Sequence, residues 1–467
     1  MTRLRIRQWI LAAGVATMIA APGLPVGAQD AVTLSPAEME KAAKLSLETG
    51  YFERAETFAA ALLTRDETDV VAHLIRSRAL RLMGELEPAR KAARAGWSHA
   101  ETDEERYAAA LLMAQALSSQ DKRTRAQFWL RRAAQHAPSE AHKAKAAQDF
   151  RYVQRRNPWS TYLSFTLAPN SNINNGSARE SLEIENELYD VLAGGPVTVP
   201  IDDTSRALSG IEIGGQLQTR YRFAQTETTA HDLRATLSYR TFRLSDSAER
   251  DAPDVSGSDY AYGTVSVGYG FKRLRADRRG EFGLTTDIGQ AFYAGSRYNS
   301  FVRAGVSQTY YTDRRTKLRF GAVAEAENGQ AVSDTESLLL SLSRDRQMRS
   351  GNGLHLGVTV KRQISDNPVH DYAETRLRSG LVLGKRVMGV RWRFGAGVAF
   401  RDYEESFFDP SGRQDTRLEL DATATFEQID YYGFSPTVSV RASKTNSNVA
   451  LYDVNRFGVS LGIVSKF

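Results

Sequence analysis

The chain is predicted to be an α plus transmembrane β protein: N-terminal tetratricopeptide-like helices followed by a 14-stranded antiparallel outer-membrane β-barrel. Three observations point there. Composition turns over at Arg155-Arg156-Asn157-Pro158, from Ala, Leu, Glu, Arg and Lys before it to Gly, Thr, Ser, Tyr, Val and Arg after it. The hydrophobic period changes at the same place from helical to two. The last strand runs to Phe467 with Phe457, Val459, Leu461, Ile463 and Phe467 on one face, as a strand with lipid on one side and water on the other requires.

Taking the elements in order, Arg3, Arg5 and Arg7 precede an apolar stretch from Trp9 to Ala21 and then Val26-Gly27-Ala28. This is the pattern of a secretory signal peptide over residues 1–28. The apolar core is shorter than the roughly 20 residues a membrane span needs, and Pro22 and Pro25 follow it. Formal net charge is +6, and without the three signal arginines it falls to about +3, a small excess that implies no nucleic-acid partner. The chain has no cysteine, which excludes a lipidated N-terminal cysteine, a disulfide framework and thiolate chemistry.

Residues 35–156 read as helices of a periplasmic repeat domain. Leu45-Ser46-Leu47-Glu48-Thr49-Gly50-Tyr51-Phe52-Glu53-Arg54-Ala55 recurs as Arg78 to Arg90, with Gly50 and Gly84 34 positions apart and Ala55 and Ala89 likewise. That is the tetratricopeptide period. Gly50 and Gly84 close the turns, and Tyr51, Ala55 and Ala89 are the expected packing positions. A degenerate third copy runs from Tyr107 to Ala137-Pro138, with a longer expected turn from Ser118 to Arg125. Stacked repeats form a concave groove suited to a peptide or partner.

From 159 to 467 the alternation defines 14 segments, near 159–168, 207–223, 228–243, 258–272, 280–293, 299–312, 316–328, 335–346, 351–363, 372–385, 389–403, 414–428, 433–445 and 454–467. Every other connection is tight, while the alternating set is longer on average, led by 169–206 and 244–257. Short turns inside and long loops outside is the outer-membrane pattern, and it places the helices in the periplasm. Arg220, Arg222, Arg234, Arg391 and Arg393 fall on the wet face as lumen-facing basic residues, with acids such as Glu212 and Asp287 within reach to pair them. The seven histidines show no metal-ligand spacing, and no nucleophile triad assembles, so the chain reads as a non-enzyme without cofactor.

The segment that resists a generic explanation is Ala168-Pro169-Asn170-Ser171-Asn172-Ile173-Asn174-Asn175-Gly176. A strand breaks at proline and enters an asparagine-rich stretch. Asparagines tolerate left-handed turns, so a turn cluster is one reading; the other is an element at the pore mouth, or inside the barrel, in which Pro169, Asn170, Asn172, Asn174 and Asn175 contact cargo.

With this motif opening the barrel, a repeat domain before it and Phe467 ending it, the chain resembles the surface lipoprotein assembly modifiers, outer-membrane components of type XI secretion. The resemblance implies a translocon that moves surface lipoproteins or related secreted proteins to the cell surface, the repeats engaging client or chaperone. It implies as partners that client, periplasmic chaperones, outer-membrane lipid and the barrel assembly machinery, with Phe467 as assembly signal. An exopolysaccharide export porin, or a passive channel with a repeat domain, is the alternative.

Overall fold

The computed structural model describes residues 33–184, 197–409 and 411–465. Residues 1–28, read from the sequence as a signal peptide, and Phe467 lie outside them. Among the described residues seven helices come first: α1 (Pro36–Glu48), α2 (Phe52–Arg65), α3 (Val70–Met83), α4 (Leu86–His99), α5 (Asp103–Ser119), α6 (Arg123–Gln135) and α7 (Glu140–Arg156). Each packs on the next through small residues: Ala55, Ala89 and Ala126, at equivalent places in the second helix of each pair, are fully buried. An alanine there lets backbones approach closely without leaving a void.

The helix-pair turns are all tight. At the first two, Gly50 and Gly84 sit at φ 86° and 89°, and Tyr51 N–H and Glu85 N–H donate back to Ser46 O and Leu80 O, satisfying carbonyls that a helix end leaves orphaned. The third turn does not have the expected length. It is confined to residues 120–122, where Asp121 takes φ 58° in place of glycine and Lys122 N–H donates to Leu117 O. An aspartate can occupy the left-handed region, so the motif persists although its glycine does not.

After Pro158 the strands are β1 (Trp159–Asn170), β2 (Ser181–Ile184), β3 (Val197–Pro200), β4 (Gly210–Gln225), β5 (Thr229–Leu244), β6 (Tyr262–Leu274), β7 (Gly280–Tyr293) and β8 (Ser296–Asp313). They continue as β9 (Thr316–Gly329), β10 (Thr335–Gln347), β11 (Gly353–Ser365), β12 (Tyr372–Val382), β13 (Arg391–Tyr403), β14 (Arg413–Thr425), β15 (Phe434–Ser447) and β16 (Val454–Ser465). All but β2 and β3 close into one antiparallel barrel, with β1 between β16 and β4, which gives the expected 14 strands. Closure removes the exposed edges that lipid cannot solvate.

The separate β2–β3 hairpin lies within the connection expected as a long loop. A short helix, α8 (Asp246–Asp251), sits in the next long connection. Outward positions are apolar and exposed, for example Leu338, Leu340, Leu342, Leu356, Val360, Leu377 and Phe400, as a lipid-facing band requires. No helix among the described residues is long and apolar enough to cross a membrane.

Candidate functional site: the lumen, its asparagine loop and the helical dock

The lumen wall is a charged network. Arg401 bonds Glu374 at 2.5 Å, Arg376 lies 3.6 Å from Glu419, and Arg378 pairs with Asp421 and, at 3.5 Å, with Glu419. On the other side Arg222 and Arg220 converge on buried Asp232 at 2.8 and 3.7 Å, and Arg234 lies 3.5 Å from Asp287. Arg391 stands at the periplasmic rim and binds Glu427 at 2.5 Å. Arg393 lines the lumen cavity beside Arg240, Arg417 and Arg441. Arg401 and Glu374, like Arg222 and Asp232, face each other on neighbouring strands, whereas Arg376, Arg378 and Arg234 reach their acids across an intervening strand. These arginines are neutralised in place, and Arg240, Arg393 and Arg441 leave the cavity with an excess of positive charge. Asp345 Oδ1 accepts from His355 Nδ1 at 2.7 Å. Among the described residues no group of three or more potential ligands could hold a metal ion.

The asparagine segment lines this cavity at the end of β1 that lies away from the helices. Asn172 is fully buried; its Nδ2 donates to Gly176 O at 2.8 Å and Asn455 O at 3.2 Å, and its Oδ1 accepts from Gly176 N–H at 2.9 Å. Asn174 Nδ2 donates to Arg206 O at 2.6 Å and Thr204 O at 2.9 Å, and its Oδ1 accepts from Leu208 N–H at 3.0 Å. Asn170 Nδ2 reaches Glu212 at 3.2 Å. Asn175, at φ 59°, accepts from Arg456 at 3.0 Å.

Gly176 admits no side chain, because a Cβ would stand 2.2 Å from Arg206 O. Ile173 seals the loop against Leu208, Phe242, Leu244, Ala248 and Ala252. Thus Asn170, Ile173, Asn174 and Asn175 line the lumen cavity with Pro169, whereas Asn172 is turned away into the loop's own frame.

At the opposite end the helices are docked on the barrel. Arg131 of α6 donates to Tyr432 O at 3.1 Å, Gly433 O at 3.2 Å and Ser465 Oγ at 2.7 Å. Its guanidinium is sandwiched between the rings of Phe150 and Phe434, at 4.7 and 4.1 Å. Burial shifts its pKa below the ordinary arginine value, and the charge is held by these contacts rather than by water. Gln135 accepts from Tyr432 N–H at 2.7 Å, and Lys143 meets Asp430 at 2.9 Å. The junction is fixed as well: Asn157 Nδ2 donates to Thr124 Oγ1 at 3.0 Å, and Asn157 Oδ1 accepts from Trp159 N–H at 3.2 Å.

Nothing in the pattern near Arg131 or Asp430 singled them out, because Arg131 holds none of the recurring positions of its repeat copy and Asp430 lies in a turn outside the strand alternation. Of the repeat positions, Gly50, Gly84, Ala55 and Ala89 lie in turns and buried contacts, but the Tyr51 ring is exposed and lies 5.0 Å from Arg54.

A closed 14-strand barrel with an apolar outer band, a paired polar lumen and helices at its short-turn end is an outer-membrane transport or channel protein with a periplasmic repeat domain. Residues 247–467 match the family model described as surface lipoprotein assembly modifier, so the family resemblance drawn from the sequence is confirmed over that part of the barrel. A comparison with curated proteins finds no match.

Among solved structures, the helices are similar to the Yersinia enterocolitica type III secretion translocator chaperone SycD, with 15% identity, coverage of 27% of this chain and 88% of that one, and a TM-score of 0.24. The barrel is similar to a bacterial polysaccharide outer membrane secretin, with 10% identity, 65% and 98% coverage and a TM-score of 0.33. It is also similar to an outer membrane channel from Pseudomonas putida F1, with 10% identity, 65% and 94% coverage and a TM-score of 0.32.

Proposed function

We propose that the protein is a translocon that carries surface lipoproteins, or related secreted proteins, from the periplasm through the outer membrane. The observation that carries this reading is the rigid dock of a repeat domain on the pore's periplasmic rim, together with the family match over residues 247–467. A groove for an extended chain is held at the mouth of a polar lumen, and no step of such transport needs a catalytic group or cofactor. Client and periplasmic chaperone engage the helices, the Asn170–Asn175 loop and the lumen arginines form the path, and the barrel assembly machinery inserts the strands, with Phe467 as the assembly signal. Residues 1–28 act as the signal peptide, 35–156 as the periplasmic domain and 159–467 as the barrel.

A polysaccharide exporter would need a lumen dominated by one sign of charge. Arg376, Arg378 and Arg401 are paired with acids, so their part of the wall carries both signs of charge, which supports the protein translocon.

The test is a strain in which residues 36–156 are removed and the barrel is retained. The client should accumulate in the periplasm while the barrel still assembles, whereas undiminished surface display would overturn the assigned role of the helices.

A further inference from the structure

β1 is joined to its two neighbours unequally. Toward β4 all twelve residues are matched, from Trp159 opposite Tyr221 to Asn170 opposite Gly210. Toward β16 only Leu167 opposite Leu461 and Asn170 opposite Gly458 are paired among the described residues, although β16 is matched to β15 from Val454 to Ser465. Pro169 has no N–H to give at this seam. The same register would set Phe165 opposite Ile463, but Ser164, Phe165 and Thr166 form no paired position with Val464, Ile463 and Gly462.

The two ends of the seam differ. At the surface end Ser171 N–H donates to Phe457 O at 3.0 Å, and Phe457 N–H donates to Ser171 Oγ at 2.8 Å. Arg456 donates to Asn172 O at 3.2 Å, and Arg179 meets Asp453 at 2.7 Å. The asparagine motif therefore pins β1 to β16 beyond the last ladder pair. Toward the periplasm β16 is held by the helical domain, where α6 is anchored on Ser465 through Arg131.

We propose that the stretch of the β1–β16 seam between Ser164–Thr166 and Gly462–Val464 is a docking edge for an amphipathic β-strand of the transported protein, with the asparagine loop as the fixed end about which the seam parts. The proposal rests on the translocon reading. Backbone donors and acceptors unmatched at membrane depth are costly, and an added strand satisfies them in the mode by which extended peptides join sheet edges. The side chains specify what fits: Leu163 and Phe165 are exposed on the lipid face, and Ser164 and Thr166 alternate with them. An incoming strand with the same alternation extends both surfaces without burying a polar group. The helices that engage the client end at this edge.

The chain has no cysteine, so the seam can be locked by Phe165→Cys with Ile463→Cys, while Leu340→Cys with Val360→Cys locks two matched positions of a continuous ladder. Surface proteins are compared by protease shaving of cells with wild-type chain, no chain, the seam lock and the control lock, each oxidised and reduced. Heat-modifiable gel mobility verifies that every barrel is folded.

The oxidised seam lock should lower client display to the level without the chain, reductant should restore it, and the control lock should leave it unchanged. Client display that persists with the seam cross-linked overturns the docking edge alone. If removing the chain leaves every surface protein in place, the translocon reading fails and this proposal fails with it. A photoreactive residue at position 164 should capture the client; capture of lipid only would contradict the proposal.

Discussion

Asn172 illustrates how much one side chain can organise. It bonds Gly176 and Asn455 from a fully buried position, so Asn172→Ala leaves several backbone groups unmatched and should cost about 1–3 kcal/mol. A lower unfolding temperature of the full chain in detergent micelles would register it. Asn175→Gly keeps the left-handed backbone and should change stability by under about 0.5 kcal/mol. Arg131 is the corresponding residue at the other end: Arg131→Ala removes three hydrogen bonds to the rim and should speed tryptic cleavage after Arg155 and Arg156 as the dock loosens. The asparagine motif was legible as unusual because several asparagines follow a proline. What it binds was not, since Asn455 lies 283 positions away and no local pattern links the two.

Among the elements, the strands were legible because side chains alternate with a period fixed by backbone geometry. The third helix-pair turn was expected from Ser118 to Arg125 and is shorter, because the flanking helices run on to Ser119 and from Arg123 and Asp121 takes the left-handed position held by glycine in the other two. Asp121→Gly should therefore be tolerated or slightly stabilising, whereas Gly84→Val should destabilise the helical domain by about 1 kcal/mol or more; the far-UV circular dichroism melt of the full chain separates the two.

The helices also carry a pH dependence. Side-chain and backbone bonds from Ser35 hold the pKa of Glu38 down, backbone bonds to residues 101 and 102 do so for Glu105, and a hydrogen bond from Arg90 lowers that of Glu87 to about 2. These groups have folded values below their unfolded ones, so their contribution is fully present above the usual glutamate pKa of about 4.3. It is lost as pH falls through the folded values. Helical signal should hold from pH 8 to about 5 and decline between about 4 and 2.

For the whole molecule, barrel closure and the placement of the helices followed from loop lengths and face patterns. The dock of α6 on the turn between β14 and β15, and the unequal pairing of β1, were not visible, because both depend on residues brought together only by closure. In the proposed translocon those two features join the helices, the seam and the lumen into one path from periplasm to surface.

The most direct test of that path compares intact cells with and without the chain by protease shaving and mass spectrometry of released peptides and medium. The account predicts that one or a few proteins vanish from the surface and accumulate in the periplasm, and that restoring the full chain reverses this. An unchanged protein profile, with altered surface glycan or solute flux, would contradict it.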